Sequence, residues 1–440
     1  MSEAYGVPGV VVEESHALAM SIQSGETAVP VLIGHFNAVK PTHTIECVPV
    51  ESWLAFTQQF GAADVVEVNE EVFHATSGAS GLKHTAHVGS YSVRSYFENG
   101  GGPCYVLPLP DQEAQTLTAM VAAIERCPDI TLLVWCEHTD KDAEVYAKLG
   151  TLLGAGASSG GNRGMFLLAD AQAKDAQYAD FVVPGVADLT QVATYFPALV
   201  SQYAWEPPDQ YVSVTNLPDE YWGGSVPIEI KQTESLTLER LKDLRLGALK
   251  RGDDDAKVLA RKYLALYQGF RQLVVDALAA RPMIVRASAA MAGVMARVDR
   301  ERGVWKAPAN VGLVGVQGLV ANVAGADHAQ ESWQAIRPDD TLNGRLVEHG
   351  INAIRWFRGQ GAMVWGARTA ATGSDTRWHY VPVRRLFNTV ERDARAALRT
   401  AVFEPNSAPT WEAVRGALDH YLHALWRQGA LQGDTPAQAY

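Results

Sequence analysis

The glycine-rich stretch Gly154–Gly164 (GAGASSGGNRG) is the first place where residue types suggest chemistry, because such loops cradle phosphate groups. A P-loop requires Lys and then Ser or Thr after its last glycine, whereas Asn162 and Arg163 follow Gly161 here. A dinucleotide-binding loop directly follows a strand, but this stretch follows a predicted helix. We therefore interpret it as a surface loop.

A second candidate for chemistry is His84 with His87 (HTAH), whose spacing would suit two metal ligands on one helix face. The pair lacks the intervening Glu of the zinc-protease motif, and no third ligand is near in the sequence. Ser80 lies in GASG, which is not the G-x-S-x-G pattern of a nucleophile elbow. The sequence therefore predicts no catalytic residue, no metal site and no cofactor.

The four cysteines, Cys47, Cys104, Cys127 and Cys136, form no CxxC pair, which favours reduced, structural thiols. The start of the chain (MSEAYGVPG) shows neither the basic nor the apolar region of a secretory signal. No run of about 18 uninterrupted apolar residues occurs, so we expect no membrane insertion.

The net charge of −12 is unevenly distributed. Residues 341–440 contain 12 Arg, no Lys and 8 acidic residues, a net charge of +4, so the remaining 340 residues carry −16. The acidic bulk argues against nucleic acid as a partner. The basic end is either a set of solvated helix faces or an interface with a negatively charged protein. The exclusive use of arginine favours the interface, since guanidinium groups pair well with carboxylates.

Alternating helices and strands predict an α/β region in the first part of the chain. The predicted strands are Thr27–His35, Glu46–Val50, Pro103–Leu109, Ile130–Cys136, Gly164–Ala169 and Phe181–Val183. The predicted helices are Val50–Phe60, Gly89–Glu98, Glu113–Arg126 and Lys141–Leu153.

The stretch Thr233–Ala279 differs, because leucines recur three residues apart and few residues favour strands. The run Arg251–Asp255 (RGDDD) predicts a solvated break between two helices, since it lacks the alternating ligands of a calcium loop. Residues 207–280 are thus predicted to form a helical insert.

The segment Tyr5–Glu14 (YGVPGVVVEE) is a short β-prone run with a proline near its start. Because proline is confined to strand edges, the segment is either a local edge strand or a free strand that adds to another sheet. Near the other end, Ala362–Thr369 and Trp378–Val383 are predicted to pair as a β-hairpin.

Two amphipathic helices are predicted after the hairpin, Arg384–Thr400 and Thr410–Trp426. Trp411 lies on the predicted apolar side of the second. On a helical wheel, the first helix places four arginines within an arc of about 80°, which is enough to face an acidic surface: Arg385, Arg392, Arg395 and Arg399.

These residues resemble the contractile tail sheath proteins of bacteriophages and related injection systems. The likeness is carried by YGVPGVVVEE, VRSYFENGGGPCYVLPL at Val93–Leu109, MAGVMARVDRERGVWKAPANV at Met291–Val311, and the run Leu346–Pro436 with GINAIRWF, VWGART, WHYVPVRRLFNTVE and LWRQGALQGDTP. Tyr195-Phe196-Pro197 resembles a further block. The insert is similar to that of sheaths from extracellular injection particles.

The resemblance implies a structural subunit that forms hexameric rings stacked around an inner tube and contracts to drive the tube through a target envelope. The implied partners are other copies, the tube, the baseplate and sheath-terminating proteins, with assembly in the bacterial cytoplasm. The implied tube-facing residues are the four arginines. The implied strand-exchange residues are Val7, Val10, Val11, Val12, Val364, Trp365, Tyr380 and Val381.

The predicted fold class is mixed α/β and α+β with several domains. We expect an extended arm over residues 1–20, an outer α/β region over 21–335, and a C-terminal α+β core over 336–440 built from the hairpin and the two helices. Family members usually continue beyond the position of Tyr440, so we expect the core to lack its final strands and arm. Two alternatives remain: an α/β enzyme with an unrecognised site, and a non-contracting sheath-like adaptor.

Overall fold

The computed structural model describes residues 20–39, 44–68, 82–154, 164–215, 236–323, 333–373 and 376–440. The chain divides into two compact units. One is Glu26–Asn388; the other combines Thr389–Tyr440 with Met1–Gly25, of which residues 20–25 are described. The chain thus divides between Asn388 and Thr389 rather than at the predicted boundary of 335/336.

The strands of the larger unit are short and concentrated in apolar runs. In chain order they are β1 Pro30–Gly34, β2 Asn37–Ala38, β3 Val48–Val50, β4 Phe60–Gly61, β5 Val65–Val68, β6 Leu82–Thr85, β7 Cys104–Pro108, β8 Leu132–Trp135, β9 Phe166–Asp170, β10 Gln172–Ala173, β11 Phe181–Val182, β12 Val192–Phe196, β13 Ala198–Ser201, β14 Val212–Val214, β15 Leu236–Thr237, β16 Met283–Val285, β17 Val311–Gly312, β18 Val316–Ala321, β19 Gln334–Ala335, β20 Ile351–Phe357 and β21 Gly361–Val364.

The helices fall into two groups along the chain. Those before residue 380 are α1 Trp53–Gln59, α2 Gly89–Glu98, α3 Ala114–Glu125, α4 Asp142–Gly150, α5 Leu238–Arg251, α6 Asp254–Ala279, α7 Ala287–Arg302 and α8 Asp340–Glu348. The C-terminal ones are α9 Val381–Leu398, α10 Ala408–Arg427 and α11 Pro436–Ala439.

A nine-stranded sheet organises the larger unit, with the order β17-β21-β20-β12-β9-β8-β1-β7-β3. The six central strands, β20 to β7, run parallel. Strands β1, β8 and β9 are apolar and almost fully buried, as expected when helices cover both faces of a parallel sheet. The predicted alternation of helices and strands is therefore confirmed.

Successive residues of the central strands enter different hydrophobic clusters. Leu32 belongs to the cluster that contains α2 and α7 residues, whereas Val31 and Ile33 belong to the cluster with α3 and α4 residues. This alternation is the period of two that a strand imposes on its side chains. The sheet is therefore the middle layer between two layers of helices.

The helices of the predicted insert 207–280 are α5 and α6, which meet at Gly252; the same range also contains strands β14 and β15, so it is not helical throughout. Gly252 has φ of +80°, a left-handed conformation that glycine adopts at a helix end without steric cost. Asp253 then caps α6 by accepting a hydrogen bond from the Ala256 backbone N–H. The acidic run is therefore a break between two helices, as predicted.

The hairpin differs from the prediction. Its strands are β20 and β21, joined by a tight connection after Phe357. Strand β20 also pairs in parallel with β12, and β21 pairs with β17, so the hairpin is part of the large sheet and not of a separate C-terminal core. The predicted pairing of Ala362–Thr369 with Trp378–Val383 is reduced to a single bridge between Arg368 and Tyr380.

We predict that Gly293→Ala lowers the free energy of unfolding by about 2 kcal/mol, because overpacking forces neighbouring structure apart. A Cβ at Gly293, in α7, would lie 2.2 Å from the backbone oxygen of Tyr96 in α2. The matched control is Gly247→Ala in α5, where nothing lies within 4 Å of the added carbon; it should gain up to about 1 kcal/mol from helix propensity. Denaturant unfolding followed by circular dichroism measures the stability of both variants. Equal free energies of unfolding for the two variants would contradict the close packing of α7 on α2.

Candidate functional site

The first turns of α9 are held within the larger unit by a buried polar cluster. Arg384 donates to Asn388 Oδ1 and stacks on the Trp378 ring, with its guanidinium carbon 4.3 Å from the ring centroid. Asn388 and Gln191 exchange hydrogen bonds of 2.7 and 3.3 Å between their side-chain amides. All these polar atoms find partners, which is what makes their burial tolerable.

Arg385 is buried rather than tube-facing. Its two terminal nitrogens donate to the two carboxylate oxygens of Asp299 at 3.0 and 2.6 Å, and one also donates to the Thr27 carbonyl. The side chains of Arg385 and Asp299 are only 3% and 5% exposed. A guanidinium that is buried and hydrogen-bonded to a carboxylate is not available to bind another protein. Including Arg385 in the predicted basic face is therefore wrong.

The smaller unit has its own buried carboxylate, Asp393. It accepts hydrogen bonds from the Gly25 backbone N–H at 3.1 Å and from the Tyr421 hydroxyl at 2.9 Å, and Arg392 lies against it at 3.0 Å. Burial raises the pKa of Tyr421 well above its usual value, and the neighbouring Asp393 raises it further. The hydrogen bond between Tyr421 and Asp393 joins α10 to α9 within this unit. The ion pair with Asp393 engages part of the Arg392 guanidinium.

Arg395 and Arg399 are the members of the predicted face whose side chains are exposed. The same unit also exposes apolar residues after α9 and at the start of α10: Val402, Phe403 and Trp411 are 66%, 97% and 65% exposed. Trp411 was predicted to lie on the apolar, inward side of its helix, and the structure places it outward. A basic and partly apolar exposed surface has the composition of protein contact surfaces.

The predicted strand-exchange residues lie in different environments. Val364 is fully buried, and its strand β21 has partners on both sides, so no further strand can add there. Val381 is buried and begins α9 rather than extending a strand. The backbone N–H of Trp365 donates to the Ala353 carbonyl, and the residue is 39% exposed. Tyr380 is 51% exposed. The predicted arm residues Val7, Val10, Val11 and Val12 lie outside the described residues.

Another buried arginine, at the start of α7, lies near the carboxyl ends of the central strands. Arg286, 1% exposed, pairs with Asp142 and lies 3.9 Å from Asp170. Ser288 donates to Asp170 through both its hydroxyl and its backbone N–H. These contacts connect the start of α7 to the start of α4 and to the end of β9, and they anchor the helix layer to the sheet.

Beside this network, His87 lies against His35 and Glu137. Burial lowers the pKa of His35 to about 4 and also lowers that of His87. Burial raises the pKa of Glu137 to about 8, although three backbone N–H groups oppose the rise. The expectation of no ligand cluster around His87 missed this group, because its members are distant in sequence: His35 and Glu137 are 102 residues apart.

Comparison with known proteins supports the sequence resemblance. The pattern of the phage tail sheath C-terminal domain family matches residues 373–438. The tail sheath protein of Vibrio phage KVP40 is 28% identical over 132 residues, and that of Burkholderia phage BcepMu is 29% identical over 147 residues. These matches cover 30% and 33% of this chain, but only 18% and 29% of the curated relatives.

Solved structures match almost the whole chain. A chain in the contracted helical sheath of the anti-feeding prophage is 30% identical, with a TM-score of 0.62, over 98% of this chain and 87% of that chain. This chain belongs to the contractile sheath family. Another member, in the contracted PVC sheath of an extracellular contractile injection system, is 26% identical, with a TM-score of 0.56, over 99% of this chain and 86% of that chain.

Membership of the sheath family agrees with the mixed α/β fold and with a structural role. No helix among the described residues is both long and apolar enough to cross a bilayer. The sequence reasoning missed the acidic partners of the arginines. Asp299 lies within the family-like block Met291–Val311, which was a signal that its role is specific, but nothing local in the sequence pairs it with Arg385, 86 residues away.

We predict that Asp299→Ala costs about 3–5 kcal/mol of unfolding free energy, because it leaves Arg385 buried without its counter-charge. The double variant Asp299→Ala/Arg385→Met should recover part of that loss, since an apolar side chain needs no partner. The control is Asp340→Ala. Its pair with Arg355 is exposed on the Asp340 side, which is 95% accessible, so the cost should stay below about 1 kcal/mol. Urea unfolding measures all three; a loss below 1 kcal/mol for Asp299→Ala would refute the assignment.

Proposed function

We propose that this sheath protein assembles as hexameric rings stacked around an inner tube, and that the assembly contracts to drive the tube through a target envelope. The observation that carries the proposal is the likeness to a sheath captured in its contracted state, over 98% of this chain. The tube, a baseplate and sheath-terminating proteins are the partners. The protein assembles in the bacterial cytoplasm. The assembled particle is a phage tail or an injection particle that acts outside the cell.

The mechanism is mechanical. Contraction requires two packings of the same subunits, related mainly by rigid-body motion. A difference of about 1.4 kcal/mol per subunit is only a tenfold preference for one isolated subunit. Connected through a whole sheath, the same difference adds up over many subunits and makes the change directional. The buried anchors at Arg286 and Arg385 suit this role, since they keep each body rigid while contacts between copies change.

The exposed arginines Arg395 and Arg399 are proposed to face an acidic inner tube. Exposed guanidinium–carboxylate contacts are individually weak, about 0.2–1 kcal/mol, and are screened by salt. Weak contacts of this kind can break in sequence as the sheath moves over a rigid tube. Arg385 has no part in this surface, and Arg392 contributes only the portion not engaged with Asp393.

Strand exchange between copies is proposed for the arm that contains Val7 and Val10–Val12. Main-chain hydrogen bonds of an added strand keep copies connected while their bodies rotate. The proposed edge on the receiving side is the segment around Tyr380, which is half-exposed and bridged to Arg368. Strand β21 cannot accept the added strand, because it is already paired with β17 on one side and β20 on the other.

A second candidate function is a non-contracting, sheath-like adaptor at a baseplate. It is favoured by a 30% identical chain in the baseplate structure of the anti-feeding prophage, which matches 99% of this chain with a TM-score of 0.62. An adaptor would form single rings, whereas a sheath subunit forms stacks of rings. The two functions therefore differ in the length of the assembled particle.

We predict that deleting residues 1–14 converts assembled protein into monomers or stray rings, because copies lose their connecting strand. A point variant tests the same idea at constant length: Val10→Pro/Val12→Pro removes two N–H donors from any added strand. The control Glu13→Gln/Glu14→Gln preserves the backbone donors and should assemble. Sedimentation velocity measures the distribution, and normal high-mass assemblies from the deletion variant would contradict strand donation.

We predict that Arg395→Glu/Arg399→Glu weakens co-sedimentation with an acidic tube about tenfold, since two favourable contacts become repulsive. Raising the salt concentration should weaken wild-type binding and so reduce the difference in affinity between the wild type and the double variant. The matched control is Arg415→Glu, whose side chain is 77% exposed in α10 but outside the predicted face. If the control weakens binding as much as the double variant, net charge explains the effect and the proposed face is wrong.

A further inference from the structure

Three side chains of metal-ligating type meet at the carboxyl edge of the parallel sheet, and the sheath function uses none of them. His35 directly follows β1, Glu137 is the second residue after β8, and His87 precedes Val88, the N-cap residue of α2. Their ligand atoms all lie within 4.8 Å of one another. Three distant segments of the chain therefore deliver two imidazoles and a carboxylate to one place.

The position of this cluster in the sheet has a physical reason. Strand β1 pairs with β7 on one side and with β8 on the other, so the connections after β1 and β8 leave the sheet in different directions. Diverging connections open a crevice at the carboxyl ends of the two strands, where α/β sheets bind their ligands. His35 directly follows β1, and Glu137 follows β8 after one intervening residue, Cys136.

The Glu137 carboxylate is fixed in place before any ligand arrives. It accepts backbone N–H bonds from His35 at 3.0 Å, Val88 at 2.7 Å and Gly89 at 2.9 Å. An ionised carboxylate has about four acceptor positions. One position is therefore left, on a group whose orientation the backbone already determines.

The two imidazoles lie face to face, with centroids 4.5 Å apart and planes 25° apart. His35 Nδ1 is 4.0 Å from Glu137 Oε1. This nitrogen is buried and makes no hydrogen bond to any residue that the structure describes. A buried ring nitrogen without a partner is costly, and a bound cation would satisfy it.

Of the three residues, His87 also lines a cavity of about 610 Å³. Asp140, Asp142 and Asp170 also line it, and the buried Arg286 pairs with Asp142 and lies 3.9 Å from Asp170. The cavity has room for water as an additional ligand.

We propose that His35, His87 and Glu137 bind a divalent transition-metal ion, with Zn²⁺ as the best match to two imidazoles and one carboxylate. Ligand atoms on a tetrahedral zinc are about 3.3 Å apart, so the present separations contract by rotation of the two imidazoles. Water from the cavity takes the fourth position. The ion would tie the ends of β1 and β8 to the start of α2 and stabilise the body of each subunit.

The test is zinc binding by the full-length, tag-free protein after treatment with a chelator. Titration calorimetry with ZnCl₂ should give one ion per chain. The variants His35→Gln and His87→Gln should each weaken that binding by at least about 100-fold, since loss of a supporting partner alone costs about 10–100-fold. The control His420→Gln removes an exposed histidine of α10 and should bind like the wild type.

A second measurement does not depend on the variants folding. Co²⁺ bound to the wild-type chain should show the intense visible absorption of a tetrahedral site, and one equivalent of Zn²⁺ should abolish it. Sub-stoichiometric binding, binding that His420→Gln removes, or a Co²⁺ spectrum of the hydrated octahedral ion would each overturn the proposal. None of these results depends on whether the protein assembles into a sheath.

Discussion

The buried pair of Arg385 and Asp299 is the contact on which the interpretation of the C-terminal helices depends. Burying two charges is worthwhile only when each satisfies the other, and here both guanidinium ends and both carboxylate oxygens are used. The pair, with Arg384 and Asn388 beside it, fixes the first turns of α9 within the larger unit. It also removes Arg385 from the exposed surface of α9, where the side chains of Arg395 and Arg399 are exposed.

Much of the fold was predictable because local rules and tertiary structure agree. Helix α2 was predicted with its observed bounds, since Asn99 and the glycines after it stop the helix. The break between α5 and α6 followed from a glycine and an acidic cap at adjacent positions. The two C-terminal helices were also correct, because their apolar periodicity is strong.

The errors share one cause, which is that local patterns give a side chain's direction but not its partner. A helical wheel placed Arg385 on a basic face, whereas Asp299 in α7 makes that position a buried one. The hairpin was placed one segment too late, because Gly361 and the strand pairing with β12 decide its register. His87 was dismissed for lack of a third ligand, and the sheet topology brings His35 and Glu137 to it.

Electron microscopy of the purified protein is the most direct test of the sheath assignment. The wild-type chain, concentrated alone and together with an acidic tube protein, should form hollow cylinders of stacked rings with sixfold end views. If it remains a lone particle at every concentration and ionic strength, the assignment as a self-assembling sheath subunit is contradicted.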